Sequence, residues 1–142
     1  MGIIRHSQII SLDSNIFIRA LDDPTSLGEK SRNLIEEIKE ITPRIFISTM
    51  VLEEFFVRVY KEKRDKDIQR YLDFINLDGL CIIIDINKEI ALRAAKLRAQ
   101  YPSLRAPDAI HIASAIAVKA NIFITTDRRL PKKIEKLEIK TL

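Results

Sequence analysis

Short apolar runs recur along this chain, and each is separated from the next by a stretch with helical periodicity. Residues 9–12, 44–47, 80–84 and 122–125 read as strands, and 137–142 as a fifth after a short basic helix. Between them, 14–20, 30–41, 49–60, 66–76, 88–100 and 108–120 read as helices; in 30–41, Leu34, Ile35, Ile38 and Ile41 recur at helical spacing. Parallel neighbours need a long crossover connection, usually a helix. The alternation therefore restricts the chain to an α/β architecture, a three-layer sandwich with a mostly parallel four- to five-stranded sheet flanked by helices.

Punctuation residues refine this order. Residues 22–28 read as a loop by their turn composition, and Asp78-Gly79 as a turn. Ser48 suits the N-cap of the following helix and Pro107 the first turn of the last one. The unbroken apolar run at 80–84 suits a central parallel strand. With 142 residues and no repeat or low-complexity tract, a single domain spanning 1–142 is expected. One cysteine, Cys81, excludes an internal disulfide and sits in an apolar setting. The N-terminal residues do not resemble a signal peptide, and no apolar run reaches membrane length, so a cytoplasmic location without membrane contact is the expectation.

Four acidic residues stand where these runs stop. Asp13 closes the first strand, Glu54 follows the second, Asp108 opens a largely apolar helix, and Asp127 follows the fourth strand. Each has an ordinary explanation as a cap, a turn residue or a solvated helix residue. The helices at 49–60 and 108–120 are unusually apolar, however, so acids at their starts are confined to the edge where strand ends meet helix starts. An open parallel sheet binds ligands at the carboxyl ends of its strands. Carboxylates gathered there repel one another unless a cation or a shared proton offsets them, which points to a hard divalent metal and to phosphate chemistry. The net charge of +4 agrees with a polyanionic partner. The basic group at Arg58, Lys61, Lys63, Arg64 and Lys66 reads as a solvated face. The group from Arg128 and Arg129 to Lys136 directly follows Asp127 and is a candidate for phosphate contacts.

Leu12-Asp13-Ser14-Asn15-Ile16-Phe17-Ile18 resembles the opening motif of PIN-domain nucleases. Ile47-Ser48-Thr49-Met50-Val51-Leu52-Glu53-Glu54-Phe55 resembles their second motif, Leu104-Arg105-Ala106-Pro107-Asp108-Ala109-Ile110-His111-Ile112-Ala113 their third, and Ile122-Phe123-Ile124-Thr125-Thr126-Asp127-Arg128-Arg129-Leu130 their fourth. No single motif is specific; the ordered set of four, spanning nearly the whole chain, is. The resemblance implies an acidic pocket that binds Mg²⁺ or Mn²⁺ and cleaves RNA. Carried over by position, Asp13, Glu54, Asp108 and Asp127 are its acidic residues, and Asn15 and Thr125 its accessory polar positions. Both Glu53 and Glu54 lie at the border of the apolar helix surface; spacing favours Glu54, with Glu53 as the alternative. Where some members carry a fifth acid, this chain has Leu130, which leaves open whether one metal binds or two.

Size and architecture are most similar to VapC-type toxins of toxin–antitoxin pairs, which implies a homodimer and a cognate antitoxin as partners. His111, three residues after Asp108 and surrounded by Ile110, Ile112 and Ala115, reads as a structural histidine. Two other readings stand beside the nuclease. A response-regulator-like phosphoacceptor domain would use Asp85 after the third strand, but leaves Asp108 and Asp127 without a role. A non-catalytic RNA-binding module would use the basic patch alone and bind RNA regardless of EDTA.

Overall fold

A computed structural model describes residues 2 and 4–142. Strand β1 (Ile9–Leu12) leads into α1 (Ser14–Asp22) and α2 (Ser26–Ile41), followed by β2 (Arg44–Ser48), α3 (Met50–Lys61) and α4 (Ile68–Ile75). Strand β3 (Cys81–Ile84), α5 (Lys88–Gln100), α6 (Ala106–Ala117) and β4 (Ile122–Thr125) come next, and β5 (Lys133–Ile134) and β6 (Leu137–Thr141) close the chain. The sheet order is β3-β2-β1-β4-β6-β5, parallel throughout except for the β5–β6 hairpin.

Alternation along the strands divides the core in two. Ile10 and Leu12 of β1, Ile45 and Ile47 of β2, and Ile122 and Ile124 of β4 face Ile16, Phe17, Ile38, Phe55 and Tyr71 of α1 to α4. Phe123 of β4 and Leu137 and Ile139 of β6 face Ile90, Leu97, Ala109 and Ile112 of α5 and α6. The result is the three-layer sandwich that the strand–helix alternation calls for.

Several local expectations change. Among the described residues the sheet has six strands, because Lys133-Ile134 pairs antiparallel with β6 where a basic helix was expected; Glu135, at φ 54°, makes the turn. Strand β3 pairs with β2 alone and lies at an edge, with Ile82 54% exposed. An apolar run does not by itself reveal whether both faces are covered. Ser48 ends β2, and its hydroxyl faces His111 rather than capping α3. Helix α6 begins at Ala106, one residue ahead of Pro107, with Arg105 at the N-cap. A 3₁₀ turn, Asp65–Asp67, replaces the start of the helix expected from 66. The loop expected at 22–28 shrinks because α2 already starts at Ser26. There Gly28 packs so closely on Asp23 that a Cβ would overlap the Asp23 carbonyl.

Asp23 ties this short connection together. Its carboxylate accepts the Thr25 N–H at 2.8 Å, the Thr25 hydroxyl at 2.6 Å and the Arg19 guanidinium at 2.6 Å. The Thr25 hydroxyl first, and then its amide and Arg19, hold the carboxyl down to about 2 from an ordinary 3.8. A depressed folded value stabilises the fold above the unfolded value, and that contribution is lost as pH falls through the folded one. Asp23→Asn should therefore lower the melting temperature at pH 6, and the gap to wild type should close between about pH 4 and pH 2. A gap that persists unchanged at pH 2 would assign the effect to hydrogen-bond geometry alone.

Candidate active site

The chain runs β1, β2, β3 to one side of the sheet and then returns to place β4 on the other side of β1. A crevice opens outside the carboxyl ends of two strands at such a reversal. Asp13 follows β1 there, and its N–H donates to the Ile124 carbonyl of β4 at 2.9 Å. Asp13 occupies the N-cap position of α1, yet its side chain makes no capping bond. Its Oδ2 instead accepts the Thr125 hydroxyl at 2.8 Å and the Asn15 amide at 3.1 Å. Thr125 Oγ1 in turn accepts the Asp127 N–H at 3.0 Å, and Asn15 Oδ1 the Thr126 N–H at 3.1 Å. Asp13, Asn15, Thr125 and Asp127 thus form one connected set.

Glu54 comes to the same crevice from α3, while Glu53 is exposed on another side of the helix. Glu54 Oε1 accepts the Ser14 hydroxyl at 2.9 Å and lies 2.6 Å from His111 Nε2. The His111 ring is 2% exposed and stacks near Phe123, with centroids 6.4 Å apart; its Nδ1 is 3.1 Å from Ser48 Oγ. A carboxylate can only accept, so Nε2 carries the proton of the contact with Glu54. His111 is buried, as the sequence suggests, but it is bonded to a site carboxylate. Its apolar sequence neighbours conceal this; the signals that point to it are the Asp108–His111 spacing and the polar Ser48 at the end of β2. Asp13, Glu54 and His111 each offer one ligand atom within 4.8 Å of the others.

The other two acids carry arginines. Asp108 is buried, and its Oδ2 accepts the Arg105 backbone N–H at 3.1 Å and Nε at 3.4 Å, so the third residue of α6 reaches back to satisfy the N-cap amide. Asp127 Oδ1 accepts the Arg129 N–H at 2.9 Å and Nε at 3.0 Å, and Oδ2 accepts Nη2 at 2.7 Å. Arg105 Nη2 also approaches Asp127 Oδ2, at 3.9 Å. Arg128 and Arg129 line a cleft of about 410 Å³ with Asn15, Arg19, Thr126 and Asp127. Leu130 is buried in the core and contributes no fifth acid. Asp85 is exposed beyond edge strand β3, two strands away from β1, so the phosphoacceptor reading would set its aspartate apart from Asp13.

The electrostatics of these groups differ. Burial pushes the Asp13 carboxyl up, His111 and the Thr125 bond pull it down, and the charges of Glu54 and Asp108 add to the rise; the net direction is upward. Burial also pushes Glu54 up, but its bond to His111, the His111 charge, Ser14 and Arg105 outweigh this and leave it lowered. Arg129 holds Asp127 below the usual carboxylate range despite partial burial. A buried carboxylate flanked by two further carboxylates fits a hard divalent cation, which takes oxygen donors and offsets their repulsion. Asp13 and Glu54 offer such donors at ligand distance from each other, while Asp108 and Asp127 hold arginines.

The PIN domain family model matches residues 10–136. No curated protein sequence matches the chain. Solved structures do. A chain of VapBC2 from Rickettsia felis, bound to a DNA fragment from their promoter, superposes with a TM-score of 0.71 at 24% identity, over 94% of this chain and 98% of that one. A toxin–antitoxin complex from Klebsiella pneumoniae gives 0.60 at 25% identity, over 83% and 86%. VapC20 from Mycobacterium tuberculosis, described as a sarcin-ricin loop cleaving toxin, gives 0.62 at 10% identity, over 80% and 86%.

Proposed function

The chain belongs to the PIN-domain family, and we propose on that ground that it is a Mg²⁺- or Mn²⁺-dependent endoribonuclease, the toxin of a toxin–antitoxin pair. The observation that supports this reading is that Asp13 and Glu54 each bring a carboxylate oxygen within 4.8 Å of the other and of His111 at the reversal between β1 and β4, with the Asp108 charge acting on Asp13 and with Asp13 bonded to Thr125 and Asn15 and not spent as a cap. Similarity to a toxin–antitoxin complex supports the toxin role. A cognate antitoxin and a second copy of the chain are the proposed partners.

Asp13 is the main metal ligand, since the end of a central strand is the most rigid position in the site. Asp108 and Asp127 complete the acidic wall. When bound, the ion offsets charge on the scissile phosphate and lowers the pKa of a water. Glu54 orients that water: both of its bonds fall on Oε1, which leaves Oε2 available to accept one. His111 keeps Glu54 ionised and fixes its rotamer. Asn15 and Thr125 hold the Asp13 carboxylate in place, and Arg128 and Arg129 receive the RNA backbone in the adjoining cleft. Water adds to phosphorus as the P–O3′ bond breaks, leaving a 5′-phosphate and a 3′-hydroxyl.

Purified protein incubated with a mixed RNA pool should release such fragments with Mn²⁺ or Mg²⁺ and none with EDTA, and Asp108→Asn should be inactive in either ion. Cleavage that survives EDTA, or RNA binding with no cleavage under any condition, removes this reading.

A further inference from the structure

The two acids on the Asp108 side of the crevice already hold cations belonging to the chain itself. Arg129 grips Asp127 through Nε at 3.0 Å and Nη2 at 2.7 Å, while Arg105 lies between Asp108 (Nε, 3.4 Å) and Asp127 (Nη2, 3.9 Å). Both side chains are more than half exposed, at 64% and 62%. Exposed ion pairs of this kind are weak, worth at most about fivefold in an equilibrium each, so either guanidinium leaves its carboxylate readily.

What stays behind when they leave is informative. The backbone N–H of Arg105 remains on Asp108 Oδ2 at 3.1 Å, and that of Arg129 on Asp127 Oδ1 at 2.9 Å. The main chain keeps both carboxylates oriented, and only the charge moves away. Arg129 also lines the cleft beside Asp127 together with Asn15, Arg19 and Arg128. A guanidinium fork binds phosphate as well as it binds carboxylate.

Building on the nuclease reading above, we propose that Arg105 and Arg129 are place-holders for the divalent cation: they neutralise Asp108 and Asp127 in the free protein and transfer to the substrate phosphodiester, so that metal and RNA bind as a coupled pair. Arg105 thereby becomes a substrate-binding residue. The free protein would bind its metal weakly until a phosphate backbone draws the arginines off.

The exchange predicts opposite shifts in two measurements that involve no turnover. Mn²⁺ binding without RNA, read from the electron paramagnetic resonance signal of the free ion, should tighten by about three- to tenfold in Arg105→Gln/Arg129→Gln. Binding of a labelled single-stranded RNA in EDTA, read by fluorescence anisotropy, should weaken by about threefold or more in the same variant. Arg128→Gln removes the same charge one residue away from Arg129 and should change Mn²⁺ affinity by less than about twofold. Unchanged or weaker Mn²⁺ binding in the double variant overturns the proposal, as does equal tightening in Arg128→Gln, which would reflect net charge alone. If wild-type Mn²⁺ binding disappears in Asp13→Asn but ignores both arginines, only the place-holder role falls. If no form of the protein binds Mn²⁺, the nuclease reading falls with it.

Discussion

Asp13→Asn is expected to lower RNA cleavage by about a thousandfold or more and, at the same time, to raise the melting temperature of the metal-free protein at pH 7. The two effects share a cause. Asp13 is 4% exposed, and the charges of Glu54 and Asp108 add to the burial that pushes its carboxyl up. Asparagine keeps one oxygen for the Thr125 hydroxyl and the Asn15 amide while removing the charge. A gain of about 1 kcal/mol, or roughly 3 °C for a chain of this size, is the expected scale. The sign also fixes the pH dependence. A carboxyl raised in the folded state binds more protons there than in the unfolded chain, so wild type loses this contribution as pH rises above the ordinary 3.8 and through the raised value. The advantage of Asp13→Asn should accordingly vanish at the acid end of the range and grow toward neutrality. Thermal melts in EDTA across pH 4 to 7 measure it. If the Asp13→Asn protein melts below wild type at pH 7, the hydrogen bonds of the carboxylate outweigh the repulsion on its buried charge.

The second large effect concerns the packing that delivers Glu54. Its neighbour Phe55 is fully buried, with ring centroids 5.2 Å from Phe56, 5.8 Å from Tyr71 and 6.2 Å from Phe74. This aromatic group joins α3 to α4, and Phe74 continues it to Phe17 of α1 at 6.0 Å. Phe55→Ala should destabilise the fold by about 3–5 kcal/mol through lost burial and the cavity left behind, a fall of roughly 10 °C or more in melting temperature. Urea unfolding should show a lower midpoint with an unchanged slope. A cost below about 1.5 kcal/mol would mean that α4 collapses onto the gap, since the penalty depends on how far a site can relax.

Those aromatic residues illustrate what a linear reading captures. The apolar period of 49–60 identifies α3 as a deeply packed helix, and the short isoleucine-rich runs at 9–12 and 122–125 coincide with β1 and β4 to the residue. Local chemistry dominates in such segments. It fails where tertiary contact decides: Gly28 looks like a turn residue but is helical because α2 must approach Asp23, and Ile82 looks buried but lies on an outer strand. The placement of the candidate acids is legible because strand ends and helix starts confine them to one edge. The partners of those acids are not. Arg105 and Arg129 are long side chains whose direction is set by the fold, and the bond from His111 to Glu54 joins residues 57 apart on different helices.

Strand β1 lies between β2 and β4, and the bond from Thr125 to Asp13 spans 112 residues of chain. During synthesis, therefore, the first strand can pair along one edge early and must wait until β4 is made before its other edge is covered. Closing so long a loop makes this a late and slow event in folding. An incomplete chain that stops before β4 carries Asp13, Glu54 and even Asp108, yet lacks the strand that aligns them. A formed pocket therefore exists only once β4 has been made and has paired beside β1.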